Sequence, residues 1–356
     1  MPDSIPHEAL ARAVRAAFGA DARITATKPL YGDASSRRYV RLGLAGATVP
    51  PTSVAMLLGT GRFPLGSDEI GGTRPRDDEL SFVNVARYLA AHDFAVPAIH
   101  ADASQADDLV LVEDVGDTTL WAAASASPVE VPALFGAAVD LLAALQVAAL
   151  RDPDPTCHGF QRRFDARLAR WELEHFVEHG IETRHGRPLP ANERAALLAA
   201  LDGVTVPFAE GPFVLAHRDF MAWNLHVQEG RLRLIDFQDA LLAPDAYDLG
   251  ALLTDRTTAT LVDPALESQL IARFDAARAA AGMPCPEGLV ERYRRCALQR
   301  ALKVIGRFHY LELVQGKSGY LAYLPGVYAV ARRLIATLPE GAGMRAVLAQ
   351  HVPELS

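Results

Sequence analysis

The sequence has few cysteines, no excess of basic charge and no long unbroken apolar run. Cys157, Cys285 and Cys296 are the only thiols in 356 residues. They are far apart, match no metal-ligand or redox spacing, and point to a reducing compartment where thiols stay free. Thirty-five Lys and Arg against 43 Asp and Glu give a net charge of −8. That balance argues against a nucleic-acid partner, though not against a local basic pocket for an anionic substrate. The N-terminus, Met1-Pro2-Asp3-Ser4, shows no basic stretch followed by an apolar one, so a secretory signal is not expected. The longest apolar run, Leu134 to Leu150, is interrupted by Asp140 and Gln146. It falls short of the roughly 20 residues that span a bilayer and reads as a core helix. These absences together predict a soluble, cytoplasmic chain with no membrane or nucleic-acid partner. Nothing in the sequence specifies an oligomeric state. What is present is a hydrophobic half of the chain, enough for two packed units sharing one cleft.

The pattern changes once along the chain. After an amphipathic helix over His7 to Phe18, short runs at Arg38–Leu42, Ser53–Leu58, Val96–Ile99 and Leu109–Val112 read as strands, with one helix over Glu79 to His92. Gly59 to Asp78 reads as a surface loop. Beyond Gly116 helical periodicity dominates, over Pro128 to Leu150, Phe160 to Gly180, and Ala191 to Leu201 with Gly203 as its C-cap. Asp263-Pro264 is a helix start, and helices fill the rest. The boundary falls in Glu113 to Thr119, dividing the chain into 1–116 and 117–356.

The most informative stretch runs from Phe213 to Phe237. Leu225–Val227 and Leu232–Ile235 flank Glu229-Gly230, a turn signal, and so predict a β-hairpin. A hairpin brings its open ends together, placing Asn224 beside Asp236. A carboxylate beside an amide oxygen suits Mg²⁺ that keeps waters and takes substrate phosphates. Asp219, on the loop entering the hairpin, can orient a hydroxyl and accept its proton. Two metal-holding groups and one acid are what phosphoryl transfer asks for. His217-Arg218-Asp219 with Asn224 matches the His-Arg-Asp-x-x-x-x-Asn loop of protein kinases, and Asp236-Phe237 the start of their metal-binding triplet. Singly, an Asp or Asn before a strand is more often a turn or cap residue; the ordered set overrides that reading.

The chain resembles the aminoglycoside phosphotransferase and choline kinase group, and within it the bacterial anomeric kinases for N-acetylmuramate and N-acetylglucosamine. Leu30-Tyr31-Gly32-Asp33-Ala34-Ser35-Ser36-Arg37-Arg38-Tyr39 is similar to that family's nucleotide loop, and Leu111 to Asp117 to its inter-lobe linker. Ile235 to Ala240 with Pro244 and Tyr247-Asp248-Leu249 is similar to its metal-site segment, and Leu298-Gln299-Arg300 with Leu302 to Gly306 to its C-terminal helix. The resemblance implies an α+β, protein-kinase-like fold with a β-rich nucleotide lobe and a helical lobe carrying the catalytic loop, metal site and acceptor site. It implies ATP and Mg²⁺ as cofactors and transfer to the anomeric hydroxyl of a small amino-sugar substrate. Asp219 would be the base, and Asn224 and Asp236 the metal ligands. Gly32, Asp33, Ser35, Ser36, Arg37, Arg38 and Glu113 would serve the nucleotide, with His217, Arg218 and Asp248 as supports. Arg163, Arg167 and Arg170 fall on one face of the helix expected from Phe160. The similarity at Phe164-Asp165, Glu172 and Phe176 implies that this helix borders the sugar. Arg163, Arg167, Glu172 and Asp239 are thus the candidate acceptor residues, an arginine being suited to a lactyl carboxylate. The competing reading of the arginines is a solvated face.

One departure is clear. Protein kinases carry a phosphate-binding Lys on the third strand, and Ser53 to Leu58 has none, so Arg37, Arg38 or Arg41 would take its place. His175 and His179, spaced i, i+4, read as a surface pair because no third ligand accompanies them. Trp223 reads as packing, and Phe237 as a core anchor. The alternatives are a kinase of an aminoglycoside or choline-like alcohol, and a nucleotide-binding pseudokinase.

Overall fold

The computed structural model describes residues 5–30, 37–58 and 79–356. The first lobe is one antiparallel sheet of β1 (Arg23–Leu30), β2 (Arg38–Ala45), β3 (Thr52–Leu57), β4 (Ile99–Ala103) and β5 (Leu109–Glu113), in the order β1-β2-β3-β5-β4. Its central strands are apolar on both faces, because both faces are covered. Ala55, Leu57, Leu109 and Leu111 pack with Leu10 and Val14 of α1 (His7–Phe18). The alternate residues Val54, Met56, Val110 and Val112 pack with Phe82, Val85 and Leu89 of α2 (Ser81–Ala91). This second cluster continues without a break into the other lobe through Phe237, whose ring stacks on Phe82 at 4.9 Å. The lobes thus share a core at the level of the site.

The second lobe is mainly helical, built on α3 (Leu120–Ala126), α4 (Val131–Arg151), α5 (Ala166–His175), α6 (Ala191–Ala200), α7 (Tyr247–Thr254), α8 (Pro264–Ala280), α9 (Leu289–His309), α10 (Leu324–Ala336) and α11 (Gly341–Leu348). Two short ladders, β6 (Phe213–Ala216) with β9 (Leu241–Pro244), and β7 (Leu225–Gln228) with β8 (Arg231–Leu234), face the first lobe's side of it. By length and composition the stretch Pro128–Arg151 could cross a membrane, yet polar residues in its middle are tied into the lobe. Gln146 is fully buried, donating to the Asp245 carbonyl and accepting from Arg278. Asp140 pairs with Arg273.

Three details differ from the sequence-based expectations. The strand read at Val96–Ile99 begins at Ile99, since Pro97 offers no N–H to a ladder. Gly203 is not a left-handed cap; it lies in a 3₁₀ turn over Asp202–Thr205 whose walls are Glu340 and Arg295. The helix read from Phe160 to Gly180 is broken. A short turn ends at Gln161, Asp165 caps α5 by accepting from the Leu168 amide, and a π-helical segment, Phe176–Thr183, follows. Asp263 caps α8 with Pro264 in its first turn, as its sequence signals, and the loop expected over Gly59 to Asp78 lies outside the described residues.

Candidate active site

The β7–β8 hairpin turns at Glu229 (φ 51°) and Gly230 (φ 74°), both left-handed as a tight two-residue turn requires. Leu225 faces Leu234 in register, and the Ile235 amide donates to the Asn224 carbonyl at 3.1 Å. This brings Asn224 Nδ2 to 3.5 Å from Asp236 Oδ2. The same nitrogen donates to the Asp219 carbonyl at 2.9 Å, leaving the amide oxygen as the group a cation would take. Asp236 sits at φ 64°, an unfavourable conformation for a non-glycine residue costing about 1–3 kcal/mol. Gln238 donates to its Oδ1 at 2.8 Å and also approaches Asp239. Burial and the negative charges of Asp219 and Asp239 push the Asp236 carboxyl up to about 6. A buried acid that resists ionisation beside other acids, with an amide oxygen near it, is a donor set suited to a hard divalent cation.

The loop carrying Asp219 is held from below. Asp248, at the start of α7 and wholly buried, accepts from the His217 amide at 2.6 Å and the Arg218 amide at 3.0 Å. These bonds fix Arg218 at φ 75°, a second strained position. Burial raises the Asp248 carboxyl to about 7, although both amides favour its charged form. His217 is buried and hydrogen-bonded through Nε2 to the Ile235 carbonyl, joining the loop to the hairpin. Burial lowers its pKa to about 4, so the ring is neutral at pH 7.

Asp219 keeps a third of its side chain exposed. Arg300 of α9 donates to its Oδ1 at 3.0 Å and to the Arg218 carbonyl at 3.2 Å. Burial alone would raise the Asp219 carboxyl, but Arg300, Lys303 and Arg218 outweigh it and hold it below the ordinary carboxylate range. Glu172 of α5 is buried among the same cations. Lys303 Nζ lies 2.9 Å from it, Gln299 donates to it at 2.8 Å, and Arg218 approaches to 3.9 Å. Gly306 lets α9 come this close to the α5 side: a β-carbon there would stand 2.7 Å from the Phe176 Cα.

Of the residues named from sequence, Asp219, Asn224, Asp236, Asp239, Glu172, His217, Arg218 and Asp248 converge on this region. Gly32, Asp33, Ser35 and Ser36 lie outside the described residues. Arg37, at the foot of β2, is near enough to bond Tyr39 and to act on the Asp236 carboxyl. Arg41 is committed elsewhere, to Asp114 at 2.7 Å and Asp117 at 2.7 Å across the linker. The Glu113 carboxylate is likewise taken, by Arg233 at 2.5 Å and the Ala98 amide at 3.0 Å.

The arginine stripe does not form. Arg163 lies before α5, exposed, with its guanidinium 3.5 Å over the Phe213 ring. Arg170 turns to Asp202 and Glu174, and Arg167 is exposed. Phe237 is fully buried in the shared core. Trp223 stacks on Trp121 at 4.4 Å and donates to Thr257. Gln299, Arg300 and Lys303 were not given roles from sequence. Their signal was their place in the Leu298–Gly306 resemblance, where i, i+1 and i+4 positions supply the polar groups of an otherwise apolar stretch.

The family profile described as "Phosphotransferase enzyme family" matches residues 27–289. The N-acetylmuramate/N-acetylglucosamine kinase of Neisseria meningitidis serogroup B is 32% identical over 280 residues, covering 76% of this chain and 80% of that protein. Its namesake from Caulobacter vibrioides is 29% identical over 358 residues, covering 91% of each. Among solved structures, an ADP-bound aminoglycoside phosphotransferase superposes with a TM-score of 0.57 at 13% identity, covering 96% of this chain and 99% of that one. A choline/ethanolamine kinase family protein from Mesorhizobium loti gives 0.54 at 13% identity, over 91% and 92%.

Proposed function

This chain belongs to the phosphotransferase enzyme family, and we propose that it transfers the γ-phosphoryl group of ATP to the anomeric hydroxyl of N-acetylmuramate and N-acetylglucosamine. The observation that carries the acceptor reading is the setting of Asp219. Arg218, Arg300 and Lys303 all act on that carboxylate, which suits a neutral or anionic acceptor and disfavours a polycationic aminoglycoside. The relatives at about 30% identity, named for those two sugars, point the same way.

In this reading Asp219 accepts the hydroxyl proton, while Arg300 holds one carboxylate oxygen and leaves the other to the acceptor. The Asp219 loop is fixed to the core by Asp248 and to the hairpin by His217, so the acid is held in position before substrate arrives. Asn224 and Asp236 would hold Mg²⁺, with Asp239 beside them. The ion would supply charge neutralisation on the donor phosphates. Arg37, with Arg38, would replace the missing third-strand Lys at the phosphates, and Gly32, Asp33, Ser35 and Ser36 would serve the nucleotide beside them. Glu113 serves the nucleotide lobe by tying β5 to β8 through Arg233. Residues 1–116 form the nucleotide lobe and 117–356 the acceptor lobe. An ATP donor places the reaction in the cytoplasm.

Mass detection of phosphorylated products with Mg²⁺-ATP and a panel of N-acetylmuramate, N-acetylglucosamine, kanamycin and choline tests the proposal. Turnover of either sugar, and of neither cation, is the expected result. Turnover of kanamycin or choline alone overturns it.

A further inference from the structure

His175 and His179 have a third ligand that the sequence reading lacked. His175, Glu178 and His179 bring their ligand atoms to within 4.8 Å of one another. They straddle the junction of α5 with the π-helical segment Phe176–Thr183. Four residues apart, the two imidazoles fall on one face and meet edge to face at 4.3 Å between centroids. The spacing His-x-x-Glu-His is one by which metallopeptidases set two zinc imidazoles on one helix face.

Each ligand is prepared in its own way. The His179 Nδ1 is bonded to Thr183 Oγ1 at 3.0 Å, which fixes the ring and leaves Nε2 with its lone pair, 3.7 Å from Glu178 Oε1. Among the described residues neither nitrogen of His175 is hydrogen-bonded; its ring touches Trp171, His179 and Tyr310. Arg307, over the Tyr310 ring, and Lys303 oppose a cation here, while Glu172 near His175 and the exposed Glu178 carboxylate near His179 offset them. The donor set is two imidazole nitrogens and one carboxylate, with the remaining positions open to water.

We propose that His175, Glu178 and His179 form a Zn²⁺ site, separate from the oxygen-ligand site at Asn224 and Asp236 and independent of which acceptor the kinase uses. The ion would clamp the end of α5 to the first turn of the π-helical segment, since its ligands come from both.

The test is calorimetric titration of the metal-free full chain with Zn²⁺, in excess Mg²⁺ so that the oxygen site is filled. One ion per chain is expected for the wild type and none for His175→Ala or His179→Ala. Thr183→Val, which removes only the partner of Nδ1, should weaken binding roughly tenfold, and Glu178→Gln by at least as much. Zn²⁺ should also raise the Tm of the wild type but not of His179→Ala. No binding by the wild type, or unchanged stoichiometry in either folded histidine variant, overturns the proposal. If the alanine variants fail to fold, unchanged affinity in both Thr183→Val and Glu178→Gln overturns it equally.

Discussion

Arg300 donates to Oδ1 of Asp219 at 3.0 Å across 81 residues of sequence, so the acid of the catalytic loop is held by a helix from the far end of the chain. The bond stabilises the charged carboxylate and orients it. Replacing Arg300 by Met should therefore lower kcat by roughly 10–100-fold while leaving the KM for ATP nearly unchanged. It should also cost about 1–3 kcal/mol of stability, the worth of hydrogen bonds to a charged group. Steady-state kinetics and urea unfolding check both. A change confined to the KM for ATP would contradict the assignment.

Asp219→Asn keeps the shape of the side chain but cannot accept the acceptor's proton. A loss of roughly 10²–10⁴-fold in kcat is expected, with a lowered unfolding midpoint because the buried Arg300 loses its charged partner.

Asp248→Asn should act through the backbone. An amide side chain can accept from only one of the His217 and Arg218 N–H groups that the carboxylate now satisfies. The orphaned amide should cost about 1–3 kcal/mol. The strained Arg218 should relax, lowering kcat without changing the affinity for ATP measured by nucleotide titration.

Much of this frame is legible in the sequence, and the reason is locality. Glu229-Gly230 between two short apolar runs announces the hairpin, and the hairpin alone brings Asn224 to Asp236. Asp263-Pro264 announces its helix in the same way. What the sequence hides is set by long-range packing. Arg300 and Lys303 lie on a helix whose periodicity says only which face is buried, not that Asp219 and Glu172 wait there. The arginine stripe failed for a local reason that was nonetheless readable. Asp165 is an N-cap residue, so the helix had to start after it, and Arg163 falls outside. Arg41 could not be told from Arg37 without knowing that Asp114 and Asp117 face it across the linker.

Acid should destabilise the fold through His217. Its pKa is about 4 in the folded chain against 6.5 for an unburied imidazole. A depressed histidine contributes stability above pH 6.5 that is lost as the pH falls towards 4, because the unfolded state takes up the proton first. The wild type should lose stability relative to His217→Gln as the pH falls from 6.5 to 4, and the difference between their urea midpoints measures it.

Lys303 bears on acceptor choice. Its Nζ sits on Glu172 at 2.9 Å and acts on Asp219. If it reads the lactyl carboxylate, Lys303→Met should raise the KM for N-acetylmuramate about tenfold, or about 1.4 kcal/mol, and leave that for N-acetylglucosamine nearly unchanged. Equal effects on both sugars would place Lys303 in the support of Glu172 alone.

The central claim, phosphorylation at the anomeric oxygen, is tested most directly by ³¹P NMR of the product formed from N-acetylmuramate and Mg²⁺-ATP. A phosphorus signal coupled to the anomeric proton, absent when Asp219→Asn replaces the wild type, is the predicted result. A phosphate coupled to the C6 protons, or ATP hydrolysis with no sugar phosphate, would contradict it.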